Sequence, residues 1–147
     1  MRTMLRDIVG AFIFSADGKL LLGKGGVYGD DWLVPGGGIE EGESKLAAVK
    51  REVTEETGID LAGAHIERIA GALTGESEKM LRDTGERVLV KMRFYNFRID
   101  LPDVAQNITL KTEDDFTQAK WVALGDLSGL KLSPPSITTL RKMGYLP

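Results

Sequence analysis

Glutamate side chains are concentrated within one short stretch of the sequence, residues 37–59. Glu52, Glu55 and Glu56 stand at positions i, i+3 and i+4 of a segment rich in helix formers, so a helix would place them on one face. Like charges at this spacing destabilise a helix unless a cation lies among them, and carboxylate ligands favour Mg²⁺ or Mn²⁺. On spacing alone, a solvated acidic face is the more common explanation, and a divalent metal site is the alternative.

The helix that would carry these glutamates has clear limits. Ser44 is a favourable N-cap residue, and Gly58 stands where a left-handed residue commonly ends a helix. These signals predict a helix over residues 45–57. Its apolar stripe, expected to be buried, consists of Leu46, Val49 and Val53.

A glycine run and an arginine complete the pattern. Residues 36–38 are all glycine, which predicts a tight turn that can direct a main-chain carbonyl inward. From Gly37 to Ile59 the sequence matches G-x5-E-x7-R-E-U-x-E-E-x-G-U, where U is aliphatic, at every fixed position. This pattern is the Nudix box, and the chain therefore resembles the Nudix (MutT-like) hydrolase family.

The resemblance implies hydrolysis of a nucleoside diphosphate linked to another moiety, with Mg²⁺ or Mn²⁺ as cofactor. It implies that the metal is held by Glu52, Glu55, Glu56 and the carbonyl of Gly36. We expect Glu52 to be the general base, although family members differ in which acid has this role. The expected catalytic group is Arg51, Glu52 and Glu55.

Supporting groups are also implied. Arg51 is expected to orient a carboxylate through a charge-assisted hydrogen bond, and Glu43 suits the start of the helix and can pair with Arg51. An acid from outside the box often completes the metal site in this family. Asp115 is our candidate, with Glu113 and Asp114 as close rivals.

Contacts with the substrate are expected outside the box. Residues 23–31 form a glycine-rich segment that predicts a surface loop, and residues 74–85 predict a polar loop over the site. Cations in these loops are candidate phosphate contacts, although isolated loop cations mostly face solvent. The candidate substrate-binding residues are Lys24, Tyr28, Arg82 and Arg87, with Lys79 as a further cation.

The sequence says less about the identity of the substrate than about the type of reaction. Short segments between residues 107 and 146 are similar to a bacterial nucleoside triphosphatase of this family. That similarity implies a nucleoside or deoxynucleoside triphosphate, cleaved to monophosphate and pyrophosphate. ADP-ribose or another nucleotide sugar is the alternative, and a nucleotide-binding regulatory domain without activity is a second one. The intact box favours an enzyme.

Composition limits the remaining classes of function. The 147 residues, 42% of them hydrophobic, predict a single domain spanning residues 1–147. A net charge of −3 argues against binding of polymeric nucleic acid and fits a small nucleotide as the partner. The absence of cysteine excludes disulfides, thiolate catalysis and cysteine zinc sites. No signal peptide or membrane span is recognised, so we expect a cytoplasmic protein, and the resemblance makes a homodimer one candidate assembly.

The elements that must position the site are predicted from hydrophobic patterns and turn residues. A helical turn is expected at residues 125–127 and a terminal helix after Ser133. This order fits an α/β (α+β) architecture, and the resemblance implies the Nudix fold, an α/β/α sandwich around a mixed β-sheet. Strands are predicted over residues 7–14, 19–23, 32–34, 64–73, 86–99 and 118–124.

Overall fold

A seven-stranded mixed sheet is the framework of the computed structural model, which describes residues 1–25, 29–71, 73–111 and 116–147. Two α-helices and short 3₁₀ segments accompany the strands. The strands are β1 (Arg2–Phe14), β2 (Lys19–Leu22), β3 (Gly36–Gly38), β4 (His65–Arg68), β5 (Leu73–Met80), β6 (Arg87–Asp100) and β7 (Lys120–Ala123). The helices are α1 (Lys45–Thr57) and α2 (Pro134–Lys142).

The long strand β1 lies at the centre of the sheet, whose order is β4-β6-β1-β2-β7. It pairs in parallel with β6 along its whole length, from Arg2 opposite Val88 to Phe14 opposite Asp100. The short strand β3 pairs antiparallel with the middle of β1, and β5 pairs antiparallel with the first half of β6. The glycine strand β3 therefore lies directly beside the centre of the sheet.

Alternate residues of β1 face opposite sides of the sheet and pack against different helices. Ala11 belongs to a buried cluster that contains Val53 of α1, and Phe12 belongs to a second buried cluster that contains Leu140 of α2. The helices thus cover the two faces, and the predicted α/β/α sandwich is confirmed. No helix in the described ranges is long and apolar enough to cross a membrane.

Helix α1 begins and ends where the sequence predicted. The Ser44 side chain accepts a hydrogen bond from the Ala47 N–H at 3.1 Å, and Gly58 adopts a left-handed φ of 69°. The predicted buried stripe is correct for Val49 and Val53 but wrong for Leu46, which is 44% exposed. Leu46 lies in the first turn, and the buried positions of the helix begin only at Ala48.

The chain around the glycine run differs from the prediction. Residues 36–38 form strand β3 rather than a tight turn, and none of these glycines has a positive φ. Residues 32–34 form no strand; Trp32 and Leu33 make only isolated bridges. The strand forms at the glycines and not at residues 32–34, because the glycines pair with Ile8, Val9 and Gly10 of β1.

The region after α1 also differs. The single strand predicted over residues 64–73 is two strands, β4 and the start of β5. The loop predicted over residues 74–85 is wrong, because β5 continues to Met80 and pairs residue by residue with β6. The predicted hairpin of β1 and β2, the long strand β6, the last strand β7 and the terminal helix α2 are confirmed with small shifts of their ends.

Candidate functional site

Two glutamates of α1 reach the glycine strand β3. The Gly36 N–H donates a hydrogen bond to Oε1 of Glu56 at 2.9 Å. One helical turn earlier, the Glu52 carboxyl lies so close to Gly37 that a Cβ there would be 2.6 Å from Glu52 Cδ. The two carboxylates therefore lie along the same short stretch of backbone, and Gly37 leaves the space that Glu52 occupies.

Arg51 connects the acidic groups around this strand. Its Nε and Nη2 donate to the two carboxylate oxygens of Glu43 at 2.7 and 2.9 Å, a bidentate pair. Its Nη1 donates to Glu52 at 2.9 Å and to Glu55 at 3.3 Å, and Nη2 also reaches the Gly38 carbonyl at 3.1 Å. The guanidinium thus fixes the direction of the Glu52 carboxylate and binds it to the end of β3.

The charges of this network are fixed near neutral pH. The Glu43 side chain is 14% exposed, and the hydrogen bond from Arg51, with help from the Glu40 N–H, lowers the pKa of Glu43 to about 2. The same pair, followed by the hydrogen bond to Glu52, raises the pKa of Arg51. Glu43 therefore remains a carboxylate and Arg51 a cation wherever the protein is folded near neutral pH.

A cavity of about 230 Å³ opens beside β3 on the α2 side of the sheet. The β3 glycines and Glu56 form one wall, and apolar side chains form much of the rest. Asn96 and the serines at the start of α2 add polar groups. The cavity therefore joins a mostly apolar recess to the acidic edge of α1. The apolar lining residues are Ile8, Val9, Phe12, Leu33, Val34, Pro35, Met92, Phe94 and Pro135.

The donor chemistry of this edge fits a hard divalent cation. Glu52 and Glu56 offer carboxylate oxygens beside backbone that carries no side chains, and oxygen ligands of this type suit Mg²⁺ and Mn²⁺. The described residues contain no group of three or more acidic or histidine side chains arranged to hold one ion. Glu55 is 59% exposed and contacts Arg51, so the helix brings Glu52 and Glu56 to β3 without Glu55.

Several predicted residues lie away from the cavity or outside the described part of the chain. Lys24 lies over the Trp32 ring, with Nζ 4.7 Å from the ring centroid. Arg87 pairs with Glu78 at 3.3 Å on the exposed face, and Arg82 lies in the turn between β5 and β6. Neither arginine lines the cavity. Tyr28, Glu113, Asp114 and Asp115 fall outside the described residues, and their predicted roles stay predictions.

Other residues line the cavity without having been singled out from the sequence. Asn96 donates from its amide nitrogen to the Thr139 hydroxyl at 3.1 Å, and Ser133 and Ser136 share a hydrogen bond of 2.7 Å. Arg6 lies at the outer end, two residues before Ile8 on the same face of β1. The alternation of β1 could have indicated Arg6, because residues 6, 8, 10 and 12 share one side of a strand.

Comparison with known proteins agrees with this architecture. A family model described as NUDIX domain matches residues 4–143. Nucleoside triphosphatase NudI of Escherichia coli is 29% identical over 134 residues, which cover 88% of this chain and 91% of that protein. RNA pyrophosphohydrolase of Hydrogenovibrio crunogenus is 31% identical over 121 residues, which cover 80% of this chain and 73% of that protein.

A solved structure shows the same fold. The dihydroneopterin triphosphate pyrophosphohydrolase of Escherichia coli aligns over 92% of both chains with a TM-score of 0.72. Its sequence identity is 21%, so the likeness concerns the arrangement of the elements alone. The mixed sheet and its helices thus belong to an architecture already seen in another protein.

Proposed function

The chain belongs to the Nudix family of pyrophosphohydrolases, which act on compounds that contain a nucleoside di- or triphosphate, and we propose that its substrate is a nucleoside or deoxynucleoside triphosphate. The products are the monophosphate and pyrophosphate. The observation that carries this proposal is the cavity whose wall contains both the β3 glycines and Glu56. The similarity to nucleoside triphosphatase NudI supports the substrate class.

The glutamates of α1 that lie beside β3 are given the following roles in this proposal. Glu52 and Glu56, with the predicted Gly36 carbonyl, Glu55 and Asp115, would hold a divalent cation, for which we propose Mg²⁺, with Mn²⁺ as a substitute. Nudix hydrolases generally use such an ion, which neutralises phosphate charge and lowers the pKa of bound water. Glu52 is our candidate to accept the proton of the attacking water, because its carboxylate is oriented by Arg51 and lies beside Gly37.

Arg51 acts through the glutamates rather than on the substrate. Its charge is shared with Glu43, Glu52 and Glu55, and four of its contacts lie between 2.7 and 3.1 Å. Because Glu43 takes two of the guanidinium's hydrogen bonds, the arginine is held even if Glu52 changes its protonation. The pair therefore keeps the proposed base in one orientation during turnover.

The cavity orients the substrate. Its apolar lining suits a nucleobase, and the phosphates would then run along β3 beside Glu56. Asn96 retains hydrogen-bonding capacity at the recess, because its bond to the Thr139 hydroxyl uses only one of its amide hydrogens. The apolar recess and the acidic edge together accommodate the two chemically different halves of a nucleotide.

A second candidate substrate has the same reacting group. The similarity to an RNA pyrophosphohydrolase favours a 5′-triphosphate at the end of an RNA chain. ADP-ribose or another nucleotide sugar is a further alternative, as is a regulatory domain that binds a nucleotide without cleaving it. A panel of nucleoside triphosphates, a triphosphorylated oligonucleotide, ADP-ribose and nucleotide sugars separates these possibilities by their products. A triphosphate releases pyrophosphate, whereas ADP-ribose or a nucleotide sugar releases a nucleoside monophosphate and a sugar phosphate.

Substitution of the helix glutamates tests the assignment of the site. Glutamine at position 56 keeps an acceptor for the Gly36 N–H but removes the charge, so Glu56→Gln should fold normally and lose most metal-dependent activity. Glu52→Gln should lower kcat strongly with a smaller effect on metal affinity. Glu41→Gln, an exposed acid of the same segment, is the matched control. Unchanged metal-dependent turnover in Glu56→Gln would reject the proposed site.

A further inference from the structure

Two cations at the outer end of the cavity have no counter-charge. Arg6 of β1 and Lys79 of β5 both line the cavity, and in the described part of the chain neither side chain makes an ion pair or a hydrogen bond. Other cations of these neighbouring strands are neutralised by carboxylates. Those pairs are Arg2 with Glu86, Arg87 with Glu78, Lys91 with Glu76 and Arg93 with Asp7.

Arg6 and Glu56 line the same cavity. Arg6 Nη2 lies so close to Gly38 that a Cβ there would be 2.6 Å away, whereas Glu52 lies at Gly37, on the other face of β3. Glu56 accepts the backbone N–H of Gly36. Gly36 and Gly38 are two strand positions apart, which corresponds to about 6–7 Å. The guanidinium therefore lies within the reach of a phosphate chain that passes Glu56 in this cavity.

The opposite end of the cavity is uncharged. It is lined by Phe12, Asn96 and the serines of α2, none of which carries a charge. A nucleotide whose base occupies this uncharged end would direct its last phosphates toward Arg6. A planar guanidinium donates two parallel hydrogen bonds to phosphate oxygens, and a lysine adds a mobile positive charge.

We propose that Arg6, assisted by Lys79, binds the terminal phosphates of the substrate and makes the enzyme select free polyphosphate ends over esterified ones. This inference rests on the proposed triphosphate hydrolysis. In that reaction water adds to the α-phosphorus and gives its proton to Glu52, the bond from that phosphorus to the bridging oxygen breaks, and pyrophosphate leaves with the bonding electrons. Arg6 and Lys79 hold this leaving pyrophosphate. A nucleotide sugar carries a neutral group in place of the terminal phosphate and gains nothing from the two cations.

The test compares charge-removing variants with control variants on the same strand or on the neighbouring one. Arg6→Gln and Lys79→Gln remove the proposed contacts. Arg2→Gln removes an arginine from the same face of β1, and Lys91→Gln removes a lysine from the neighbouring strand β6. Both controls lose only an exposed ion pair, which contributes little to stability.

The first measurement compares steady-state kinetics on a nucleoside triphosphate and on a nucleotide sugar that has the same base. Arg6→Gln should raise KM for the nucleoside triphosphate by about 10- to 100-fold, the loss expected for a hydrogen bond to a charged group. Its kcat should change by less than about 3-fold, and kcat/KM for the nucleotide sugar should stay within about 3-fold of wild type. Arg6→Lys should recover part of the loss because it restores the charge without the planar fork.

Equilibrium binding gives a readout that does not depend on turnover. Inorganic pyrophosphate, titrated calorimetrically in the presence of a chelator, should bind Arg6→Gln about 10-fold or more weaker than it binds wild type or Arg2→Gln. The inference is overturned if Arg6→Gln and Lys79→Gln match their controls in both measurements, or if the nucleotide sugar suffers an equal loss. If pyrophosphate binding depends on Arg6 but the enzyme cleaves no triphosphate, the anion site stands and the proposed function is rejected.

Discussion

Adding one methyl group at position 37 should impair catalysis far more than folding. In Gly37→Ala the new Cβ would lie 2.6 Å from Cδ and Oε1 of Glu52 and 2.8 Å from Oε2. Gly37 does not have a positive φ, so alanine creates no backbone strain there. The overlap is with the end of a side chain, and the Glu52 carboxylate is therefore the group that must move.

The size of the effect follows from these distances. Ordinary contacts of a Cβ begin at 3.4 Å, so the carboxylate must retreat by roughly 1 Å. Its 2.9 Å hydrogen bond from Arg51 is lengthened or lost at the same time. A displacement of about 1 Å at a reacting group can cost about 100-fold in rate, whereas a flexible side chain that moves aside changes stability by about 1 kcal/mol or less.

The assay is kcat/KM on the triphosphate together with the thermal unfolding midpoint. Gly125→Ala is the matched control, because no atom lies within 4 Å of its new Cβ and its φ is not positive. If the methyl group acts through Glu52, adding Gly37→Ala to Glu52→Gln should cost little further activity. A folded Gly37→Ala variant with wild-type kcat/KM would refute the role given to the position of Glu52.

Two further predictions concern stability. Because Arg51 lowers the pKa of Glu43 to about 2 from 4.5, their pair stabilises the protein fully above pH 4.5 and loses this effect as pH falls toward 2. The difference in urea midpoint between wild type and Glu43→Gln should shrink over that range; a constant difference would contradict this. In Gly23→Ala the new Cβ overlaps the buried Phe116 ring, which should lower the thermal midpoint by roughly 3–10 °C, and an unchanged midpoint would contradict this packing.

Helix α1 and the position of its glutamates could be predicted because the signals are local. Ser44 and Gly58 mark the ends through short-range hydrogen bonds and backbone conformation, and both act within a few residues. The spacing of Arg51 and Glu55 likewise fixes their proximity on any helix. The pair between Arg51 and Glu43 was foreseen for the same reason, since both residues lie at or near one helix.

Strand β5 was missed because its formation depends on a distant partner. Its sequence, LTGESEKM, contains polar and charged residues on both faces, and its turn-forming glycine favours a loop locally. Pairing with β6 from Leu73 to Met80 overrides that preference. The alternation of β1 indicates which face Arg6 occupies, but its place at the cavity also depends on the parallel register of β1 and β6 across more than eighty residues of sequence.

The glycine run is important for a different reason from the one that its sequence indicates. Glycine is usually required where φ is positive, but residues 36–38 form an extended strand in which other residues could adopt the backbone angles. What each glycine provides is space: a Cβ would meet the Val9 carbonyl at Gly36, the Glu52 carboxyl at Gly37 and the Arg6 guanidinium at Gly38. The sequence shows that these positions have no side chain, but it does not show which groups of the protein occupy the space beside them. The run therefore lets a main-chain strand lie against β1, with the Glu52 carboxyl on one face and the Arg6 guanidinium on the other.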